Sequence, residues 1–70
     1  MEMAPVKSSN IASVGYDAER AELYVQFRSG GLYTYSGVPE TEAAEMVKSA
    51  SVGNYFATRI KGKYTYRQEA

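Results

Sequence analysis

The stretch that decides the fold is ELYVQFRSGGLYTYS, residues 22–36. Its first half alternates apolar and polar side chains, which is the period of a β-strand with one buried face. Ser29-Gly30-Gly31 then interrupts the alternation and predicts a turn. Strands at 22–28 and 32–36 therefore form an antiparallel hairpin. The alternating apolar residues of the first strand are Leu23, Val25 and Phe27.

The length of this turn decides which way two tyrosines face. With a two-residue loop, Tyr33 and Tyr35 share a face with Tyr24 and form an exposed surface, like the stacking platforms of RNA-recognition sheets. A three-residue loop with a glycine in the left-handed conformation instead places Tyr33 beside Val25 and Tyr35 beside Leu23. We favour the three-residue loop because it gathers the apolar side chains on one core face.

Outside the hairpin, β-branched and aromatic residues predict two more short strands, at 11–16 and 64–67. A helix is predicted over 39–50 because a proline begins it, glutamates lie near its N-terminus and apolar residues follow at helical spacing. Ser51 is a natural N-cap for a second helix over 52–61. The chain is therefore expected to be α+β, with an antiparallel sheet of three to four short strands packed with two short helices.

The chain is expected to form one domain over residues 1–70, with loosely ordered ends at 1–7 and 68–70. A domain of this length buries only about 60% of the surface that its unfolded chain exposes. Function is therefore expected on a surface, in a groove or at an interface. No apolar run reaches the roughly 18 residues that a membrane-spanning helix needs, and no secretory signal is recognisable, so a cytoplasmic location without membrane contact is expected.

The chain lacks the two side chains most used in catalysis at neutral pH. It contains no histidine and no cysteine, which excludes His-based catalytic triads, thiolate nucleophiles and thiolate metal sites. Among the carboxylates of the first predicted helix, only Glu42 and Glu45 share a face, and both are expected to be solvated. We therefore expect a non-catalytic binding module, with no catalytic residues, no cofactor and no metal.

Charge is unevenly distributed along the chain although the net charge is zero. Residues 1–47 have a balance of −4 and residues 48–70 a balance of +4, and no acidic residue lies between Lys48 and Arg67. Cations interleaved with tyrosines are typical of single-stranded nucleic-acid binding. The alternative is a solvated basic edge that pairs internally with the acidic helix, with tyrosines that pack the last strand. The candidate residues are Lys48, Arg59, Lys61, Lys63, Tyr64, Tyr66 and Arg67.

Several short motifs follow one another along residues 8–64. They are Ser8-Ser9-Asn10-Ile11, Val14-Gly15-Tyr16-Asp17, Leu23-x-Val25-x-Phe27, Gly30, Tyr33-x-Tyr35, Val38-Pro39, Ala50-Ser51-x-Gly53-x-Tyr55-Phe56 and Ile60-Lys61-x-x-Tyr64. In this order and spacing they resemble the KTSC domain. That module is named for its occurrence at the C-terminus of some lysyl-tRNA synthetases, and it is also found as a free-standing bacterial or phage protein.

The resemblance implies a small module whose role is unassigned, and RNA binding is the function suggested for it. One departure is a pair of alanines, Ala43 and Ala44, where the family is expected to have a bulkier residue. This departure predicts a thinner core at that point or a partner that fills the gap. Two functions therefore remain open: weak binding of RNA or another anionic partner, and protein–protein interaction or self-association, for which an exposed sheet edge could pair two copies.

Overall fold

Five antiparallel strands form one sheet in the computed structural model, which describes residues 3–69. They lie in the sheet in their order along the chain. This architecture confirms the α+β prediction and adds one strand to the three to four expected. The strands are β1 (Met3–Pro5), β2 (Ile11–Asp17), β3 (Glu22–Phe27), β4 (Leu32–Ser36) and β5 (Tyr66–Gln68).

The two edge strands include residues for which loose ends were predicted. Within the segment 1–7, Met3–Pro5 forms β1 and pairs with the outer edge of β2, which would otherwise leave backbone donors and acceptors unpaired. At the other end, β5 begins two residues later than predicted and ends one residue later, at Gln68. Residues 1, 2 and 70, for which a loose conformation was also predicted, lie outside the described residues.

The β3–β4 hairpin has the register predicted for a three-residue loop. Val25 pairs with Tyr33 and Leu23 pairs with Tyr35. Gly30 adopts a φ of 113°, a backbone conformation that would be strained for a residue with a Cβ atom. This conformation closes the turn. Tyr35 is consequently buried in the core, and Tyr33 is half-buried against it.

Two helical segments follow the hairpin. Helix α1 spans Glu40–Lys48 and helix α2 spans Val52–Tyr55, where Ser51 Oγ accepts the backbone N–H of Asn54 at 3.2 Å, as predicted for an N-cap. The second predicted helix does not continue as a regular α-helix. It widens into a π-helix over Phe56–Ile60, whose first and last residues are both buried.

A β-bulge in β2 explains how two residues three positions apart reach the same core. Ile11 and Val14 would face opposite sides of a regular strand, yet both are buried. The pairing of β2 with β3 shifts by one residue between Ile11 and Ser13, and this extra residue turns both apolar side chains to the same side. Gly15, further along the same strand, pairs regularly with Tyr24.

The core lies between one face of the sheet and the helical segments. Its buried members come from every element except the two edge strands. They are Ile11, Val14, Leu23, Val25, Tyr35, Val38, Ala43, Met46, Val52, Phe56 and Ile60. Over residues 3–69, no helix combines the length and the apolar character that crossing a membrane requires.

Candidate binding groove

A groove runs between the turn of the β3–β4 hairpin and the π-helix. It has two connected parts of about 550 and 380 Å³, which we call the aromatic end and the polar end. Both parts are lined by Phe27, Ser29, Phe56 and Lys61. The aromatic end adds Tyr33, Tyr35 and Tyr66, and the polar end adds Ser9, Asn10, Arg28 and Gly53.

The rings of the aromatic end hold one another in place. The Phe56 ring meets Phe27 and Tyr35 edge to face, with centroids 5.5 and 5.3 Å apart. The Tyr66 ring lies tilted against Tyr33 and Tyr35, at 5.6 and 5.4 Å. Such pairs stabilise each other beyond simple burial. Tyr66 nevertheless remains 60% exposed, so the aromatic end offers a positioned ring to a ligand.

Lys61 is the predicted cation that the structure places in the groove. It follows the π-helix, where its backbone N–H donates to the Phe56 carbonyl at 2.9 Å. Its side chain is exposed and forms no ion pair with any residue from 3 to 69. The backbone is therefore fixed while the ammonium group is available at the junction of the aromatic and polar ends.

Three other predicted cations do not line the groove. Arg59 lies over the ring of Tyr55, with its guanidinium carbon 5.5 Å from the ring centroid. Lys48 lies in the last turn of α1, where a cation complements the helix dipole. Lys63 is exposed and close enough to Glu42 to help lower the pKa of that carboxyl. The predicted basic segment is therefore divided by the fold.

Arg67 is committed to ion pairs on the sheet face that the helices do not cover. Its guanidinium lies 2.7 Å from Glu69 and 3.4 Å from Glu22. Thr34, on the neighbouring strand, donates its hydroxyl to the same Glu69 carboxylate at 2.7 Å. This hydrogen bond and Arg67 lower the pKa of Glu69. Arg67 thus pairs internally, but with Glu22 of β3 and with Glu69 and not with the acidic helix that the alternative interpretation expected, and it fastens β5 to the sheet.

Tyr64 is used in a tyrosine–carboxylate cluster. Its hydroxyl donates to Glu42 at 3.0 Å, and the Tyr55 hydroxyl donates to both Glu42 and Glu45. The hydrogen bonds from Tyr55 and Tyr64 lower the pKa of Glu42. The hydrogen bond between Tyr55 and Glu42 also raises the pKa of Tyr55. The expectation that Glu42 is solvated is therefore wrong, because this half-buried carboxylate joins α1 to α2 and to the segment before β5.

The sequence did not identify the aromatic and polar side chains that complete the groove. Phe27 and Phe56 belong to apolar patterns that also describe an ordinary core, and Asn10 and Arg28 lie in loops. These groups meet only after the hairpin register and the π-helix have been set. The motifs that carry the family resemblance did contain a signal, since Asn10, Gly53 and Lys61 come from three separate motifs and line the same groove.

A second, apolar groove of about 310 Å³ lies between α1 and the β1–β2 edge of the sheet. Ala43 and Ala44 line it, together with Val47, which is 45% exposed. The gap lies at the position where the sequence predicted a thin core. No histidine or cysteine exists in the chain, and the acidic side chains between residues 3 and 69 form no cluster that could hold a metal ion.

Comparison with known proteins gives one consistent answer. An uncharacterized protein of Stutzerimonas stutzeri is 38% identical over 64 residues, which cover 91% of this chain and 90% of that protein. A lysine–tRNA ligase of Trichormus variabilis is 37% identical over 62 residues, but these make up only 11% of the ligase. The crystal structure of a KTSC domain protein from Yersinia pestis superimposes with a TM-score of 0.95 at 40% identity, covering 99% of this chain and 97% of that one.

The family model of the KTSC domain matches residues 7–64, which is most of the chain. The segment matched contains both ends of the groove except for Tyr66 and Gln68, together with the tyrosine–carboxylate cluster. The resemblance inferred from the short motifs is thereby confirmed, and the chain belongs to the KTSC domain family.

Proposed function

We propose that this domain is a non-catalytic, cytoplasmic module that binds single-stranded RNA in the groove. The observation that carries the proposal is the combination of clustered aromatic rings with Lys61 at the junction of the two ends. Single-stranded nucleic acids are typically held in this way, by aromatic side chains that stack on bases and by cations that contact phosphates. The absence of histidine and cysteine supports binding over catalysis.

The exposed ring of Tyr66 is the proposed stacking surface. Base–aromatic stacking contributes about 1–3 kcal/mol per base, so one or two stacked bases and one phosphate contact give weak binding. The presence of a similar segment in a lysine–tRNA ligase, an enzyme named for a tRNA substrate, supports RNA as the class of nucleic acid. Because the relevant segment is 11% of that ligase, the support concerns the domain and not the enzyme's activity.

The proposal is tested by fluorescence anisotropy with labelled hexauridine over a series of salt concentrations. Binding should weaken with salt, with a log–log slope of about −0.7 for each phosphate contacted. Lys61→Ala should weaken binding and reduce the magnitude of that slope by about 0.7, because one contact is lost. Lys48→Ala removes the same charge outside the groove and should leave the slope unchanged.

Two results would contradict the proposal. One is the absence of binding at low salt by the folded wild-type protein. The other is equal affinity and equal salt dependence in the wild type and Lys61→Ala. Tyr66→Ala should reduce the affinity about tenfold or more, whereas Tyr66→Phe, which keeps the ring, should retain it.

A second candidate, protein–protein interaction or self-association, is favoured by the apolar groove between α1 and the β1–β2 edge. The exposure of Val47 beside two alanines leaves apolar surface that a partner could cover. Each sheet edge offers only a three-residue strand for pairing with a second copy. Light scattering tests self-association, and a monomer at every concentration would contradict it.

A further inference from the structure

The polar end of the groove contains an asparagine whose backbone is fixed and whose side chain is unused. The backbone N–H of Asn10 donates to Ser8 Oγ at 3.2 Å, and its carbonyl accepts the backbone N–H of Arg28 at 2.8 Å. Within residues 3–69 the side-chain amide of Asn10 forms no hydrogen bond. Asn10 is exposed, so this amide is solvated and can exchange its water contacts for a ligand.

Arg28 is held in a similar way. Its Nε donates to the carbonyl of Ser8 at 2.7 Å, which anchors the guanidinium against the loop before β2. The two terminal guanidinium nitrogens form no hydrogen bond or ion pair with the residues that the structure describes. Arg28 is exposed, so these donors are open to solvent, and its side chain lines the polar end together with that of Asn10.

The wall behind these two side chains is tightly packed. A Cβ atom at Gly53 would lie only 3.0 Å from Ser8 Oγ, so the glycine allows α2 to approach the loop closely. That Ser8 hydroxyl also accepts the backbone N–H of Ile11 at 3.2 Å. The loop before β2, the turn of the β3–β4 hairpin and α2 thus fix the position of the polar end. Such preorganisation favours specificity.

The chemistry of the two free groups matches a purine base. Adenine and guanine both present N7 as an acceptor beside a second polar group, which asparagine and arginine bind through paired contacts. Pyrimidines have no N7, so they cannot offer this particular pair of contacts. We propose that the polar end selects a purine at one position of the bound RNA, read by Asn10 and Arg28. This inference rests on the proposed RNA binding, and it adds base selectivity to it.

The test compares hexauridine with two hexamers that carry a single central adenosine or guanosine. The wild-type protein should bind at least one purine hexamer about fivefold more tightly than hexauridine, the lower range for a specific base contact. Asn10→Ala and Arg28→Lys should each lower the ratio of purine-hexamer affinity to hexauridine affinity, whatever their effect on hexauridine itself. Asn54→Ala removes the other asparagine of the chain, which lies outside the groove, and should keep the preference.

The possible results distinguish purine selection from the proposed RNA binding on which it rests. Equal binding of the three hexamers by the wild type would overturn purine selection and leave RNA binding intact. A preference that survives in both Asn10→Ala and Arg28→Lys would overturn the assignment of these residues. If the wild type binds none of the hexamers, both the inference and the proposed function fail. Preference for adenosine alone supports reading by Asn10, and preference for guanosine alone supports reading by Arg28.

Discussion

Ala21 is the only non-glycine residue with a positive φ, 53°, between residues 3 and 69. It ends the turn between β2 and β3, in which the Asp17 carboxylate accepts the backbone N–H groups of Glu19 and Arg20. Its carbonyl accepts the backbone N–H of Val38 at 3.0 Å, which ties the turn to the segment before α1. The left-handed conformation is costly for a residue with a Cβ atom, so local strain is accepted here to hold two segments together.

Replacing this alanine with glycine should therefore stabilise the protein. Ala21→Gly removes a strain of about 1–2 kcal/mol per residue and adds some flexibility to the unfolded chain, for a net gain of up to about 1 kcal/mol. Urea unfolding followed by circular dichroism measures the change. Ala57→Gly, inside the π-helix, is the matched control and should lose about 0.5–1 kcal/mol. Destabilisation by both substitutions would contradict the account of Ala21.

At the scale of the structural elements, the Glu42 carboxylate joins α1 to α2 and to the segment before β5. These hydrogen bonds are stronger when the carboxylate is ionised. Glu42 accepts hydrogen bonds from Tyr55 and Tyr64, and these lower its pKa in the folded state. A group with a depressed pKa contributes stability above its unfolded pKa, and this contribution is lost as pH falls through the folded value. The pH range in which Glu42 loses its contribution to stability therefore lies below its ordinary pKa of about 4.3.

The Glu42→Gln variant tests this link. At pH 7 we expect a loss of about 1 kcal/mol, because charge-assisted bonds are replaced by neutral ones. The gap between variant and wild type should close as the pH is lowered from 5 to 3, because the wild-type carboxylate is then protonated. Urea midpoints at each pH give the comparison. Glu19→Gln, an exposed change in the turn between β2 and β3, should show no such convergence. A gap for Glu42→Gln that does not change with pH would contradict the link.

The thin contact between α1 and the sheet predicts that a larger side chain will stabilise this packing. Ala44→Leu adds apolar surface beside a groove of about 310 Å³, with little change in helix propensity. Burying the added methylene groups should contribute about 1 kcal/mol. Thermal unfolding measures the gain, and Ala18→Leu, in an exposed turn, should show none. A lower melting temperature for Ala44→Leu would show that the groove cannot accept the larger side chain.

For the whole molecule, the sequence predicted the parts whose determinants are local. The hairpin register followed from the turn glycine and the alternation around it, and the cap at Ser51 followed from its side chain. Strand β1 could not be predicted in this way, because Met3–Pro5 has no alternating pattern and pairs only where β2 leaves an open edge. The groove was missed for a related reason, since its walls come from distant segments.

The charge asymmetry of the sequence also changes once the chain is folded. Arg67 is neutralised by Glu22 and Glu69, and Arg59 lies over an aromatic ring. The cation that remains central to the groove is Lys61, and Arg28, from the acidic half of the chain, joins it there. The order of charges along the sequence therefore predicted only some of the cations that line the groove. The rest depends on which cations form ion pairs across the sheet and which remain unpaired.

The sequential order of the five strands has a consequence for how the chain folds and opens. Three of the four pairings join strands linked by short connections, and such local topologies fold rapidly. The pairing of β4 with β5 closes a much longer loop, residues 37–65, and therefore has the largest entropic cost of closure. Strand β5 is thus the element expected to dock last, and its amide hydrogens are expected to exchange earlier than those of the central strands. Because it contains Tyr66, each such opening event removes one wall of the aromatic end without unfolding the rest of the sheet.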